Sequence, residues 1–401
     1  MKRTASLLLL LTGFALAAGQ TPPQQAETRL RAALFTRTAA DGTEFGASEL
    51  DILYFGTTHH LIDEPSHSAA LRALDEFAAL DASQLPADPV RRALLQRDLW
   101  QLFDWARGEF VTIDDTAARR TALRERIAAA MKRLLLSDAQ IAKLPDNLGD
   151  LQNAPALVGI AQSLRSANGD WVMLGTSGAE PAAPIHTAEK QGRSVFLVMV
   201  HLPKGRMAAR DWLATLPLGA PAESTPALNF AADQFPPGTT WALVRVMNVI
   251  DQRGHIRPTH LVESAQLRTY TDEPPGDQPG FGAAGVGFQR LGEWQLDRWD
   301  PPRLRALAEW DRVFSRGMGY DWFEASEHTA ALTSGLEPPF KFCQACHQLM
   351  GIRGIRSLVG FQGRATPAFL ETTFGPEAAK VAAIKEQRPD WQELSGLLRE
   401  K

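Results

Sequence analysis

Near residues 167–170 the spacing of apolar side chains changes from a period of about 3.6 to about 2, and that change restricts the chain to an α+β fold. Upstream, from Glu27 to about Ala167, the pattern is helical. Asp88 stands as a capping carboxylate before Pro89, Ala93, Leu94, Leu99, Leu102 and Phe103 form an apolar stripe, and Gly108 stops the run. Leu71, Leu74, Phe77 and Leu80 mark another helix, and a further one is expected from about Thr116 to Leu136. Ser137 with Gln140 has capping-box spacing. From about Asp170 to Tyr270 the signal is that of strands. Val195–Val200 is continuously apolar and Trp241–Ile250 is rich in β-branched residues. Asp251-Gln252-Arg253-Gly254 then reads as a hairpin turn, followed by alternation of Leu261, Glu263, Ala265 and Leu267 with Val262, Ser264, Gln266 and Arg268. Residues 273–292, which include Glu273-Pro274-Pro275-Gly276, read as a Pro/Gly-rich linker. Helical signals return from Pro301 to about Arg316, from Asp321 to a stop at Gly335 and Pro338-Pro339, and again from Pro376. The expected organisation is residues 1–19 as a leader, 20–167 helical, 168–272 β-rich, 273–292 a linker and 293–401 a C-terminal unit with helices.

With 401 residues, 44% hydrophobic and 22% charged, the chain can bury a sizeable core. A formal charge of -4 supplies no basic surplus for a phosphate backbone, so nucleic acid is not an expected partner. Lys2 and Arg3 precede an apolar run from Ala5 to Leu16, and Ala15-Leu16-Ala17 offers small residues for cleavage. This is the pattern of a bacterial export signal, with the mature protein expected to begin near Ala18–Gln20. The apolar run is shorter than the roughly 20 residues of a spanning helix, so no stable membrane insertion is expected after cleavage, and the expected location is the periplasm or the exterior.

The chain has two cysteines, Cys343 and Cys346, and they are followed directly by His347. A pair so close in sequence cannot staple distant parts of a fold, so the thiols point to chemistry instead. Sulfurs one helical turn apart can attach covalently to two points of one group, and the following imidazole then points at a metal carried by that group. Three other uses of such a pair exist. A structural zinc needs two further ligands, which would have to include a distant His because no other Cys is present. A dithiol oxidoreductase would draw on Thr366-Pro367 downstream, yet no strand-helix-strand pattern closely precedes the motif. A buried, inert pair is the third.

Phe342-Cys343-Gln344-Ala345-Cys346-His347 resembles the haem-attachment sequence of c-type cytochromes, a resemblance covering about a dozen residues. It implies one haem c bound covalently through Cys343 and Cys346, with His347 as the proximal iron ligand. Small cytochromes of that kind carry a distal Met well downstream, whereas here the only downstream Met is Met350 and no His follows His347. A distal ligand must come from upstream: His328 is the first candidate and Met318 the alternative, with an open sixth position also compatible. Arg353 and Arg356 are candidates for pairing with the haem propionates, as is Arg364. The aromatic residues Trp294, Trp299, Trp310, Trp322, Phe340, Phe342 and Phe361 suit either a core or a porphyrin face.

His59, His60 and His67 read as a solvated helix end, and His201, His255 and His260 as surface or capping residues. The expectation is an α+β protein with a helical N-terminal region, a β-rich middle and a helical C-terminal haem c-binding unit. The function so implied is periplasmic electron transfer with a redox partner protein. The alternatives are a haem enzyme, peroxidase-like or acting on a small molecule, and a haem-based ligand sensor with an open iron site.

Overall fold

A computed structural model describes residues 22–38, 44–45, 61–107, 116–148, 155–166, 169–216, 235–272, 280–282, 288–296, 304–306 and 369–400. In chain order the helices and strands are α1 (Pro22–Phe35), β1 (Arg37–Thr38), β2 (Glu44–Phe45), α2 (Ser66–Ala78), α3 (Pro89–Arg107), α4 (Ala117–Lys132), α5 (Asp138–Ile141) and α6 (Pro155–Arg165). The middle holds β3 (Val172–Thr176), α7 (Pro184–Glu189), β4 (Ser194–His201), α8 (Gly205–Thr215), β5 (Thr240–Ile250) and β6 (Ile256–Thr271). Then follow β7 (Gly280–Gly282), β8 (Phe288–Leu296), β9 (Leu304–Ala306), β10 (Phe369–Glu371), α9 (Phe374–Glu386) and α10 (Pro389–Arg399). The chain is α+β, with helices leading and an antiparallel sheet in its middle.

Local chemistry fixes many of the ends. The Asp88 carboxylate accepts from Val90 N at 3.0 Å at the start of α3. Ser137 and Gln140 form the reciprocal capping box, with Gln140 N donating to Ser137 Oγ at 3.2 Å and Ser137 N to Gln140 Oε1 at 2.9 Å. The β5–β6 hairpin turns through Asp251–Gly254, where Gly254 takes φ 77°, and Asp251 Oδ1 accepts from the amides of Arg253 and His255.

The large sheet runs β10-β3-β4-β5-β6-β8-β7, and β9 pairs with the same outer side of β8. Alternation along the strands sends Met173, Leu197, Met199, Val244 and Ala265 to one face, where α3, α6 and α9 cover them with Ala93, Leu94, Leu157, Ile160 and Val381. Leu174, Phe196, Val198, Val200 and Trp241 fill the other face beneath Ala209 and Trp212 of α8, with Phe235 and Tyr270. A second helical layer of α1, α2, α4 and α10 lies beyond α3 around Leu30, Leu74, Leu99, Trp100, Phe103, Ile127 and Leu394. Helix α3 therefore contributes to two cores at once.

Two stretches differ from expectation. Leu304–Ala306, within the helical signal that began at Pro301, is a strand, because pairing with Trp294–Leu296 outweighs local periodicity over three residues. Residues 280–282 and the first half of β8 lie inside the stretch expected to be a linker, and both join the sheet.

Gln96 stitches the helical layer to the sheet. Its Nε2 donates to the carbonyls of Leu134 and Ile250 at 3.1 and 2.9 Å, and its Oε1 accepts from Ile250 N at 2.7 Å, all out of water. Gln96→Leu keeps the volume but removes the side-chain partners of Leu134 O and Ile250 N, while Ile250 O keeps Leu136 N, so a loss of about 1–3 kcal/mol is expected. A lower urea midpoint with unchanged slope is the measurement that checks it.

Candidate functional site

Cys343, Cys346 and His347 lie outside the described residues, as do His328, Met318, Arg353, Arg356, Arg364, His59 and His60. What the fold does fix is the frame around them. The chain enters residues 307–368 from Ala306, paired to Trp294 at one edge of the sheet, and leaves at Phe369, paired to Thr176 at the other. Six strand spacings separate β9 from β10, about 29 Å at roughly 4.8 Å each. Two thiols at this spacing and an imidazole are a donor set suited to covalent haem.

Of the histidines that are described, His67 departs from expectation. It is 6% exposed, in the first turn of α2, with Nδ1 hydrogen-bonded to Leu61 O at 2.9 Å. It lies on the buried face of α2 with Ala70, Leu74 and Phe77, so it is a satisfied core residue and not a solvated helix end. His255 stands exposed at the hairpin turn beside Asp251, His260 is exposed on β6, and His201 ends β4 against Trp171. Among the described residues no three His, Cys, Asp or Glu side chains gather as a metal-binding group.

The densest gathering of polar chemistry among the described residues surrounds α3. Arg97, Gln101 and Asp104 follow at intervals of four and three residues and so share one stripe of that helix. At the Arg97 end the β5–β6 register slips between Arg245 and Val246, and Glu263 falls in the slip. The Glu263 carboxylate accepts from Ser194 Oγ at 2.6 Å and from Arg245 Nε and Nη2 at 3.1 and 3.2 Å, with Arg97 Nε 3.3 Å away. Arg97 Nη2 also donates to Ser194 Oγ at 3.2 Å. At the other end Asp104 Oδ2 accepts from Lys385 Nζ at 2.7 Å and from Arg193 Nη1. Lys385 Nζ also donates to Asp390 Oδ2 at 2.9 Å and lies 5.3 Å above the Trp100 ring. Burial pulls the Lys385 ammonium below its ordinary value, against the opposing pull of Asp104. Burial alone would raise the Asp390 carboxyl, but Lys385 and Arg388 hold it below the usual range.

These groups are almost wholly out of water and are bonded to one another, so the cluster joins elements and presents no group to a substrate. The sequence reading missed it. Arg97, Gln101 and Asp104 look like a solvated stripe, and only their burial reveals otherwise. Comparison of the chain with protein-family models, with curated proteins and with solved structures finds no match.

His186, on α7, is half-buried as a residue, but its ring is enclosed against Phe196. Burial, with Lys190 and Arg268 adding to it, pushes its pKa down to about 4. The unfolded chain then takes up this proton first as the pH falls, so folding stability should decline from about pH 6.5 to about pH 4 and level off below. His186→Gln should flatten that part of the stability profile relative to the parent, measured by urea unfolding across pH 4–7.

Proposed function

We propose that this protein is an exported mono-haem c-type cytochrome that transfers electrons in the periplasm. The observation that carries the reading is the Cys343-x-x-Cys346-His347 motif, formed by the chain's only two cysteines. The export pattern of Lys2, Arg3 and the apolar run to Leu16 supports it independently, because haem c is attached outside the cytoplasm. In this reading the Cys343 and Cys346 thiols hold the group as thioethers and His347 supplies the proximal nitrogen. His328 is the first candidate for the opposite side, Met318 the second, and Arg353 and Arg356 offer guanidinium groups to the propionates. When bound, haem supplies a one-electron couple. The chain's task is then to fix the ligands so that little moves as the charge changes, and to exclude water. A redox partner protein is the expected counterpart.

The extent of folded chain outside the motif favours a second reading, a haem enzyme or ligand sensor, because a simple shuttle needs no eight-stranded sheet. Coordination decides between them. Rapid carbon monoxide binding by the reduced protein favours the enzyme or sensor, and slow or absent binding favours the carrier.

Expressed together with a haem-attachment system, the protein should stain for haem on a denaturing gel and keep its haem in acid acetone. The stain should be lost when Cys343→Ala and Cys346→Ala are combined. His347→Ala should disturb the Soret band, whereas His67→Ala should leave its position unchanged. Wild-type protein that carries no haem, or gives it up to acid acetone, overturns the reading.

A further inference from the structure

After rejoining the sheet at Phe369, the chain touches the rest of the protein all along its last stretch. β10 pairs with β3, and the Glu371 carboxylate takes Arg206 and Arg210 of α8. Lys380 Nζ donates to Thr176 O at 2.8 Å. Glu393 receives Arg107 from α3 and Arg124 from α4 at 2.8 and 2.7 Å, and Lys132 Nζ donates to Glu400 O at 2.8 Å. Apolar contacts accompany these: Ala378 and Val381 enter the core on the sheet, while Trp391, Leu394 and Leu398 enter the helical core, with Trp391 5.5 Å from Trp100.

One residue fixes the seat. Lys385 is fully buried, and its ammonium meets Asp104 from α3 and Asp390 from α10. Gly192, at φ 74°, leaves room for it, since a Cβ there would stand 3.0 Å from Lys385 Cβ. Any shift of residues 369–400 along the sheet would pull the ammonium away from Asp104 without giving it water, and a buried charge that loses a partner is heavily penalised.

We propose that residues 369–400 are a self-seating strap. Their interface holds them to the body without the covalent connection through residues 307–368, and Lys385 sets the register. A break in that connection then leaves a two-piece molecule in one particle, with both flanks of the motif-bearing stretch still on the body. This inference rests on the fold and stands apart from the haem reading.

The test places a protease recognition sequence between Gly363 and Arg364 of the full-length protein, cleaves it under native conditions, dilutes it and separates it by size. The C-terminal piece should elute with the rest and leave only in denaturant. With Lys385→Met it should bind at least tenfold more weakly. If that variant does not fold, the isosteric Asp104→Asn takes its place with the same expected loosening. Release of the piece from the otherwise unaltered protein overturns the strap, and undiminished retention in the variant used overturns the role of Lys385.

Discussion

Helix α3 is buried on nearly every side while carrying Gln96, Arg97, Asp98, Gln101 and Asp104, and the rest of the structure is arranged to satisfy those groups. Four of the five find partners in other parts of the chain, while Gln101 accepts from Arg97 on the same helix. Asp98 takes Arg31 of α1 at 3.0 Å, Arg97 takes Glu263 and Ser194 from the sheet, and Asp104 takes Arg193 and Lys385. Moving each ion out of water costs several kcal/mol, repaid only when the partner's geometry is right. Such a network adds little net stability compared with an apolar core of the same shape. It does penalise every packing in which one partner is missing, and so helps to specify a single arrangement of helices around the sheet.

Much of the fold was legible because it rests on local signals. The stripe of Leu71, Leu74 and Phe77, the Asp88-Pro89 start, the Ser137–Gln140 box and the Asp251–Gly254 turn act within a few residues and appear where the sequence places them. What could not be read depends on distant contacts. β9 is three residues made a strand by its neighbour, His67 is buried by the tertiary fold, and the stripe at Arg97, Gln101 and Asp104 resembles a wet helix face until its partners are known. The cysteine motif is legible because its chemistry is compressed into five residues, whereas a distal iron ligand would be a matter of three-dimensional approach.

The frame around the motif changes how the long remainder of the chain can be regarded. The strands before residue 307 and the helices after residue 368 belong to one sheet and its helical cover, so the motif lies between two parts of one fold. On the proposed function, the sheet and its helices are a rigid mount that fixes both approaches to the cofactor-bearing stretch, which is the condition under which an iron site keeps its ligands through repeated redox cycles.

The pairing of β10 with β3 also has a bearing on biosynthesis. Leu174 meets Glu371, about 200 residues further along the chain, so at roughly 5–20 residues per second the ribosome needs about 10–40 s to supply the partner. Until then, any sheet formed around Val172–Thr176 keeps one hydrogen-bonding margin of that strand unpaired, the kind of edge that pairs with other chains. Pairing with Phe369–Glu371 brings that exposure to an end.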